Sequence, residues 1–373
     1  MISADDRLMA RALAQALQAG YDAAPNPRVG CVLATPDGHV IGEGHTQRVG
    51  GPHAEIMALR AAQAAGHATA GATAYVTLEP CAHHGRTGPC CDALAVAGIA
   101  RVVAALPDPN PRVAGQGLAR LAAAGVQVHV GPGAQEAFEI NIGFFSRMVR
   151  GLPWLRLKVA ASLDGTTALA NGASQWITGE AARADGHAWR ARSNAVLTGV
   201  GTVLQDDPRL DVRLADTARQ PALVIVDSRL QTPLSARLWQ VPHRAVHLYT
   251  ADTDTRRHAP YLARGASVTA LPSPAGKVDL PALLRDLAAR HEVNELHAEA
   301  GHKLNGSLLR EGLVDECLLY LAPRLLGPGA GLAAIGPFES LEQALPLAFH
   351  TIDRVGDDLR LIARPPGRAA FMP

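Results

Sequence analysis

The stretch "PCAHHGRTGPC", residues 80–90, is the segment from which the organisation of this chain can be worked out. Its two cysteines, Cys81 and Cys90, are of the residue type that binds metals. Many zinc sites place two cysteines about two to four residues apart, whereas in this chain residues 82–89 lie between them. The rest of the chain must therefore supply a further ligand and a reason for the added length.

A second motif, "PHAE" at residues 52–55, places His53 and Glu55 at the predicted start of a helix. A zinc site for hydrolytic deamination needs three protein ligands, one open position and a carboxylate that is not a ligand. The pattern H-x-E followed by P-C-x-x-C is the general signature of that chemistry. We predict that His53, Cys81 and Cys90 bind one zinc ion and that Glu55 is the catalytic acid and base.

The alternative is a closed structural zinc site in which His83, His84 or Cys91 is the fourth ligand. That alternative leaves Glu55 and the Pro-Cys context unexplained, so the open site is favoured. The cysteines outside the proposed ligand set are predicted to pack in the interior: Cys31, Cys91 and Cys317.

Composition limits the class of protein. A length of 373 residues predicts about two domains of roughly 150 residues each. The net charge of +1 and the absence of a long basic run disfavour a nucleic-acid partner. Acidic residues stand where a signal peptide would be basic, and no apolar run is long enough to span a membrane. The odd number of cysteines, 5, argues against a disulfide framework, so we expect a cytoplasmic protein.

Strand and helix patterns alternate twice along the chain. The first alternation begins with a helix that Ser3 and Asp6 are expected to cap, and it fades after Gly131. Residues 132–150 are predicted to form one amphipathic helix. This alternation implies a layered α/β fold for the first domain. A new α/β alternation starts after Gly151, which predicts two domains, 1–151 and 152–373.

Longer motifs then point to a family. "PNPRVGCV", "GEGHTQRVGGPHAE", "TLEPCAHHGRTGPCCDAL" and "DPNPRVAGQG" resemble the deaminase half of the bifunctional riboflavin-biosynthesis deaminase/reductase family. "KVAASLDG", "SQWIT", "LTGVGTVLQDDPRLDVR" and "EAGHKLNGSLL" resemble its reductase half, and the similarity covers nearly the whole chain. The resemblance implies a cytidine-deaminase-like three-layer domain followed by a dihydrofolate-reductase-like α/β domain.

The same resemblance implies two consecutive reactions. The first is zinc-dependent hydrolytic deamination of 2,5-diamino-6-(5-phosphoribosylamino)pyrimidin-4(3H)-one, and the second is NADPH-dependent reduction of the ribosyl group to ribityl. The expected partners are these small-molecule substrates and further copies of the chain, as a dimer or tetramer, with no nucleic acid and no membrane.

For the deaminase, the resemblance implies substrate contacts at five positions: Asn26, His45, Arg86, Asp108 and Asn110. The widened loop then has a purpose, because it can line the pocket of a larger, phosphorylated substrate. Arg86 is the predicted contact to phosphate or pyrimidine, and the less favoured alternative is a solvated loop arginine. Asn26 and Asn110 stand beside prolines, so each could instead be a turn former.

For the reductase, the substrate contacts implied by the resemblance are Lys158, Ser174, Arg190, Leu210, Arg213 and Glu299. The implied cofactor contacts are Ala160, Trp176, Thr202, Asp206, Ser228, Gly301, His302, Lys303, Leu304, Asn305, Gly306 and Ser307. Arg190 and Arg213 suit a phosphate group. Lys158 and Asp164 are expected to help open the sugar ring, unless both are ordinary ion-paired surface groups.

The residues alone say less about the cofactor. "TGVGTV" carries only part of a G-x-G-x-x-G motif, so a Rossmann fold is not supported. Ser228 and Arg229 follow a predicted strand and suit the 2′-phosphate of NADP, whereas the neighbouring Asp227 would favour NAD. His302 and Lys303 stand where smaller residues would be expected beside a cofactor phosphate.

Two other functions remain open from the sequence. One is a nucleic-acid base deaminase with an accessory domain, which the near-neutral charge opposes. The other is a non-catalytic protein in which a zinc-stabilised domain is joined to a nucleotide-binding module.

Overall fold

The computed structural model describes residues 3–82, 88–111, 113–217 and 219–372. The chain divides into two compact units, one running through Gly151 and the other spanning Leu152–Ala370. Phe371 and Met372 belong to the first unit, whereas the division made from the sequence put them in the second. The reason is aromatic packing, because the Phe371 ring lies 5.2 Å from the Phe138 ring and 5.2 Å from the Arg150 guanidinium.

The first unit contains one mixed sheet. Its strands are β1 (Gly30–Ala34), β2 (Val40–His45), β3 (Thr73–Val76), β4 (Arg101–Ala104) and β5 (Gln127–Val130). Its helices are α1 (Ala4–Gln18), α2 (Ala54–Ala64), α3 (Cys90–Val96), α4 (Gln116–Ala123), α5 (Ala134–Ile140) and α6 (Ile142–Arg150). The strand order is β2-β1-β3-β4-β5, with β1 antiparallel to both neighbours and the β3-β4-β5 pairs parallel.

Helices cover both faces of this sheet. They pack so closely on two strand glycines that a Cβ would not fit at either position. A Cβ on Gly30 would lie 1.9 Å from the Ala12 carbonyl oxygen of α1. A Cβ on Gly42 would lie 2.3 Å from the Ala58 carbonyl oxygen of α2. Gly30 and Gly42 point to opposite faces, because Gly42 pairs with Leu33 in the ladder. The predicted three-layer fold is therefore confirmed.

Two local predictions have different outcomes. The capping box of α1 is confirmed, since the Asp6 N–H donates to Ser3 Oγ at 3.0 Å. The single helix predicted over 132–150 is wrong, because α5 and α6 are separated at Asn141. The Asn141 side chain accepts from the Arg28 N–H at 2.8 Å and donates to the Arg28 carbonyl at 2.9 Å, so it serves a neighbouring loop.

Among the described residues, the second unit contains a nine-stranded sheet and a separate two-stranded sheet. Its strands are β6 (Trp154–Ser162), β7 (Thr166–Leu169), β8 (Ala195–Gly199), β9 (Ala222–Val226), β10 (Val246–Thr250), β11 (Ser267–Ala270), β12 (Glu295–Ala298), β13 (Glu316–Ala322), β14 (Gly329–Gly331), β15 (Ala348–Val355) and β16 (Asp358–Arg364). Its helices are α7 (Glu180–Arg192), α8 (Val200–Asp206), α9 (Thr255–Leu262), α10 (Leu280–Arg290) and α11 (His302–Arg310), with short 3-10 turns at Arg237–Gln240 and Leu341–Gln343.

The main sheet has the order β11-β10-β9-β8-β12-β6-β13-β16-β15, and β7 pairs separately with β14. The ladder is parallel from β11 to β13, while β16 and β15 run antiparallel at one edge. Apolar side chains of β6, β8 and β12 pack against α10 on one face, including Leu157, Leu197, Leu284, Leu287 and Leu296. The predicted α/β class is confirmed, although the sequence patterns did not predict the edge hairpin of β15 and β16.

Among the described residues, no helix is long and apolar enough to cross a membrane.

Candidate metal centre and cofactor cleft

Three candidate ligand atoms of the first unit converge. Nδ1 of His53 lies 3.6 Å from Sγ of Cys81 and 3.4 Å from Sγ of Cys90, and all three atoms lie within 4.8 Å of one another. Tetrahedral zinc, with bonds of about 2.3 Å to sulfur and 2.0–2.1 Å to nitrogen, places such atoms about 3.5 Å apart. The donor set and its spacing therefore fit zinc with a fourth position left open.

Local structure brings these ligands together. His53 is the N-cap residue of α2, and Cys90 is the first residue of α3. Cys81 follows β3, and its sulfur accepts the Cys90 backbone N–H at 3.4 Å. Hydrogen bonds from the Cys90 thiol and from His53 lower the pKa of Cys81, although burial opposes them. A sulfur that ionises this readily is a ready metal ligand.

Glu55 lies beside this cluster in the first turn of α2 and is 3% exposed. Burial and the neighbouring Cys81 raise the pKa of Glu55 to about 7, while His53 acts in the opposite direction. Its carboxylate is not one of the three clustered ligand atoms in the described part of the chain. A carboxyl group poised near neutral pH next to an open metal position is suited to moving protons.

The residues of this unit that were predicted to contact the substrate differ in their burial and hydrogen bonding. Asp108 is buried, its Oδ1 accepts the Asn110 N–H at 2.8 Å, and burial raises its pKa to about 7. His45 ends β2 with Nδ1 3.4 Å from Oε1 of Gln15 on α1. The Asn26 N–H donates to the Ala23 carbonyl at 2.9 Å. The predicted contact Arg86 lies outside the described residues, as do the alternative ligands His83 and His84.

The cysteines outside the ligand set are buried: Cys31, Cys91 and Cys317. The Cys91 thiol donates to Oδ1 of Asp92 at 3.5 Å, and burial raises its pKa to about 11. These surroundings agree with the packing role expected for Cys91.

The sequence interpretation missed Glu79, which immediately precedes the Pro-Cys motif. Its buried carboxylate accepts backbone N–H groups from Asp108 at 3.0 Å, Gly115 at 2.9 Å and Gly117 at 2.8 Å. A Cβ on Gly117 would lie 1.9 Å from the Pro80 carbonyl oxygen, so this position requires glycine. Glu79 thus ties the segment before Cys81 to the start of α4. The signal available was an acidic residue next to a ligand motif, since a buried carboxylate must be hydrogen-bonded.

The second unit has a cavity of about 950 Å³. All six predicted substrate residues line it: Lys158, Ser174, Arg190, Leu210, Arg213 and Glu299. Seven predicted cofactor residues also line it: Ala160, Trp176, Thr202, Asp206, Gly301, His302 and Asn305. The other five predicted cofactor residues are not among its lining residues: Ser228, Lys303, Leu304, Gly306 and Ser307.

The geometry of α11 explains why four of these five predicted cofactor residues do not line the cavity. Residues 303, 304, 306 and 307 lie on α11, whose successive side chains point in different directions. A Cβ on Gly306 would lie 2.2 Å from the Ala334 carbonyl oxygen, so Gly306 packs against backbone. Asp164 is also absent from the lining residues, and its carboxylate accepts the Gly327 N–H at 2.8 Å.

Two cationic side chains of the cavity, Arg190 and Lys158, are arranged around the carboxylate of Glu299. Arg190 donates to it from Nε at 2.7 Å and from a terminal nitrogen at 2.9 Å, and Lys158 Nζ lies 3.8 Å away. Burial alone would raise the pKa of Glu299, but Arg190, His297 and Lys158 hold it well below its usual range. Burial lowers the pKa of Lys158, which Glu299 opposes. The cavity therefore contains an ionised carboxylate facing two cations.

Ser228 lines a separate depression of about 480 Å³ together with Arg229 and Arg257. The adjacent Asp227 is fully buried, and one of its oxygens accepts N–H groups from Gln231 and Thr232, each at 2.7 Å. Because the Asp227 carboxylate is engaged by its own turn, this residue does not favour NAD over NADP.

The cavity also fits the cofactor implied by the resemblance. Gly301 is the N-cap residue of α11 and lines the cavity, and a helix N-terminus favours the phosphates of a dinucleotide. Oδ1 of the lining residue Asn305 is buried and has no hydrogen-bond partner among the described residues. An unsatisfied buried oxygen in the wall is consistent with a polar ligand.

Known proteins resemble this chain in both units. Residues 2–106 match the cytidine and deoxycytidylate deaminase zinc-binding region, and residues 153–361 match the RibD C-terminal domain. Riboflavin biosynthesis protein RibD of Escherichia coli (strain K12) is 45% identical over 370 residues, which cover 96% of this chain and 98% of the relative. The counterpart of the same name from Haemophilus influenzae is 41% identical over 384 residues, covering 98% of each chain.

Solved structures agree with this over the full length. Acinetobacter baumannii RibD has a TM-score of 0.88 at 41% identity and covers 98% of this chain and 99% of its own. A Thermotoga maritima protein described as a diaminohydroxyphosphoribosylaminopyrimidine deaminase/5-amino-6-(5-phosphoribosylamino)uracil reductase has a TM-score of 0.84 at 29% identity, covering 97% and 99%.

Proposed function

The chain belongs to the family of riboflavin biosynthesis protein RibD, the bifunctional deaminase/reductases, and from that premise we propose how its residues divide the two reactions. The enzyme deaminates 2,5-diamino-6-(5-phosphoribosylamino)pyrimidin-4(3H)-one with zinc and then reduces the ribosyl group to ribityl with NADPH. We assign the first step to the first unit and the second step to the second unit.

The observation that carries the deaminase assignment is the cluster of His53, Cys81 and Cys90 with buried Glu55 beside it. Zinc held by the three ligands supplies Lewis-acid activation of a water molecule. Glu55 transfers the two protons of the attacking water in turn, one to the ring nitrogen next to the reacting carbon and one to the amino group, which leaves as ammonia while the carbon keeps a carbonyl. A pKa of about 7 lets this carboxyl group act in both directions near neutral pH.

Replacing Glu55 with glutamine tests this assignment. We expect Glu55→Gln to keep its zinc and to lose ammonia release by at least about a hundredfold, because an amide cannot carry the proton. A matched control is Glu43→Gln, which removes a carboxylate that pairs with Arg11 at the surface. Zinc content and ammonia release are measured on each variant. Loss of zinc along with activity in Glu55→Gln would make Glu55 a ligand and refute its role as the proton carrier.

The substrate contacts of the deaminase are proposed at Asn26, His45, Arg86, Asp108 and Asn110. Asp108 has the strongest support from geometry, because its loop is tied through Glu79 to the segment before Cys81.

For the reductase, we propose that the ribosyl group lies against Glu299 and Lys158 in the cavity. NADPH supplies the hydride. The Lys158 ammonium holds a proton beside Glu299, where it can be given to the sugar ring oxygen as the ring opens. Arg213 suits the substrate phosphate better than Arg190 does, because its side chain is 51% exposed whereas that of Arg190 is 11% exposed.

NADPH is proposed to lie along the residues named above for cofactor binding, with its 2′-phosphate in the Ser228 depression. Arg229 and Arg257 line that depression, where Arg257 is also paired with the lining residue Asp252, and the two guanidinium groups offer positive charge to a phosphate. The buried Asp227 carboxylate does not repel a phosphate there as a solvent-exposed one would.

We further propose a cytoplasmic enzyme that acts on small molecules without nucleic acid or membrane. Its cysteines are free, which suits a reducing compartment, and its net charge is only +1.

A homo-oligomer is the last part of the proposal, with a second copy of the chain docking at the β15 edge. β15 is the terminal strand of its sheet, so one side of its backbone is open to a further strand. Phe349 and Ile352 on β15 are 67% and 59% exposed, and Leu341 before it is 91% exposed. Apolar side chains along an open edge are what a symmetric partner would cover.

A further inference from the structure

A buried histidine, His297, lies next to the charged centre of the reductase cavity and has no role in the assignments above. It is on β12 and is 0% exposed. The ladder continues past this strand, since the Glu299 N–H donates to the Leu197 carbonyl at 2.8 Å. Side chains alternate along a strand, so Glu295, His297 and Glu299 share one face.

The neighbouring strand β6 places cations along the same face. Arg156 is the register partner of His297, and Lys158 stands two residues further on, beside Glu299. Arg156 is paired with Glu295 at 3.0 Å. The histidine thus stands between one ion pair deep in the unit and another in the cavity wall.

The imidazole is aimed at the cavity carboxylate without yet being bonded to it. Nε2 of His297 lies 3.5 Å from Oε1 of Glu299. Neither ring nitrogen has a hydrogen-bond partner among the described residues. A shift of about 0.5 Å would bring Nε2 and Oε1 to an ordinary N–H···O distance. A buried polar nitrogen without a partner is unfavourable, so this closure is favoured.

The surroundings keep the ring neutral. Burial lowers the pKa of His297, Arg156 and Arg190 act in the same direction, and Glu299 opposes them. Other charged or titratable groups lie around this pair. Glu295 on the same strand pairs with Arg156, and Lys158 on β6, His187 on α7 and Tyr320 on β13 each interact with Glu299. A neutral imidazole carries one N–H, and the Glu299 carboxylate lies in front of Nε2 to accept it.

We propose that His297 is a positioning residue for the reduction. Its Nε2–H donates to Oε1 of Glu299 when the bound substrate takes up hydrogen bonds from Arg190 or Lys158. The carboxylate then stays aimed into the cavity with one fixed donor that the substrate does not reach. This inference rests on the proposed contact of Glu299 with the reductase substrate. His297 itself is shielded from the cavity and is not among its lining residues.

Three substitutions in the full-length, zinc-loaded enzyme test the inference: His297→Leu, His297→Gln and His297→Asn. Glutamine can place an amide N–H near the position of Nε2, asparagine places it nearer Nδ1, and leucine has no donor. We expect His297→Leu and His297→Asn to lower kcat of reduction about tenfold or more, as for loss of a hydrogen bond to a charged group. His297→Gln should stay within about threefold of the wild type. The acid limb of kcat/KM should move to higher pH in His297→Leu and His297→Asn, because Glu299 loses a donor and its pKa rises.

The outcomes separate this inference from the assignment on which it rests. Ammonia release and the melting temperature, measured on the same samples, serve as controls for folding. Equal rates and equal pH profiles in the Gln and Asn variants would overturn the positioning role, even if the Leu variant failed to fold. Glu299→Gln provides the other arm. If it reduced substrate at the wild-type rate, the role of Glu299 would be wrong. If it were inactive while every His297 variant matched the wild type, only the inference about His297 would be overturned.

Discussion

Replacing Arg190 with alanine should disable reduction and leave deamination intact. In the wild type, Arg190 grips both oxygens of Glu299 at 2.7 and 2.9 Å, and the two side chains are only 11% and 14% exposed. The variant would leave Glu299 with Lys158 Nζ at 3.8 Å and His297 Nε2 at 3.5 Å.

The size of the effect follows from that geometry. Two hydrogen bonds from Arg190 aim the Glu299 carboxylate, and a hydrogen bond to a charged group contributes about 1.5–3 kcal/mol. One factor of ten corresponds to about 1.4 kcal/mol, so losing such an interaction from the transition state should lower kcat/KM of reduction by roughly one to two orders of magnitude. Breaking the buried ion pair should also lower the free energy of unfolding by about 3–5 kcal/mol, and because Lys158 still faces the carboxylate we expect the lower end of that range.

Stability should depend on pH in a defined direction. Arg190 holds the pKa of Glu299 well below its usual range against the effect of burial. A depressed carboxyl pKa stabilises the fold above the unfolded pKa of about 4.3, and that stabilisation is lost as pH falls through the folded pKa. The destabilisation of Arg190→Ala should thus be full at neutral pH and shrink in acid.

The assay measures each half-reaction separately, by ammonia release and by NADPH oxidation, with melting temperatures between about pH 2 and pH 8, a range that extends below the unfolded carboxyl pKa toward the lower folded one. Arg192→Ala is a matched control, because it lies close by on α7, pairs with Glu295 and does not line the cavity. Equal loss of both activities in folded Arg190→Ala would refute the assignment of this residue to reduction alone.

Further outcomes can be checked on the same enzyme. Cys81→Ala should lose both zinc and ammonia release, whereas Cys91→Ala should keep both, and metal analysis would show whether the ligand set is wrong. Chelation of zinc should stop deamination and leave NADPH oxidation unchanged. Arg257→Ala should raise KM for NADPH about tenfold without changing that for NADH, which lacks the phosphate, so an equal change for both would count against the Ser228 depression. Ile352→Lys should lower the mass measured by light scattering, and a monomeric wild type would refute docking at β15.

Much of the site follows from residue types at fixed spacing. Zinc chemistry requires thiolate and imidazole ligands plus a separate carboxylate, and only a few residue types meet that need. His53, Glu55, Cys81 and Cys90 could therefore be singled out before their distances were known. The two α/β alternations followed in the same way, because strand and helix periods are local properties of the chain.

Other features depended on contacts between distant segments. The sequence predicted one helix over 132–150, but Asn141 ends it by binding the backbone of Arg28, 113 residues away. Asp227 was compatible with NAD until its carboxylate was found bonded within its own turn. Phe371 joins the first unit because its ring packs on Phe138.

Residue types and their spacing identified the metal chemistry and the division into two domains, and the family resemblance implied that Arg190 and Glu299 face the substrate. Contacts between distant segments were needed to show which polar groups are already engaged: Glu79 holds the loop before Cys81, Arg190 is paired with Glu299, and His297 lies 3.5 Å behind that carboxylate. The physical reason is that ligand types and periodicity are encoded locally. The partner of a buried polar group is set by which strands and helices fold against each other, and its pKa depends on that partner.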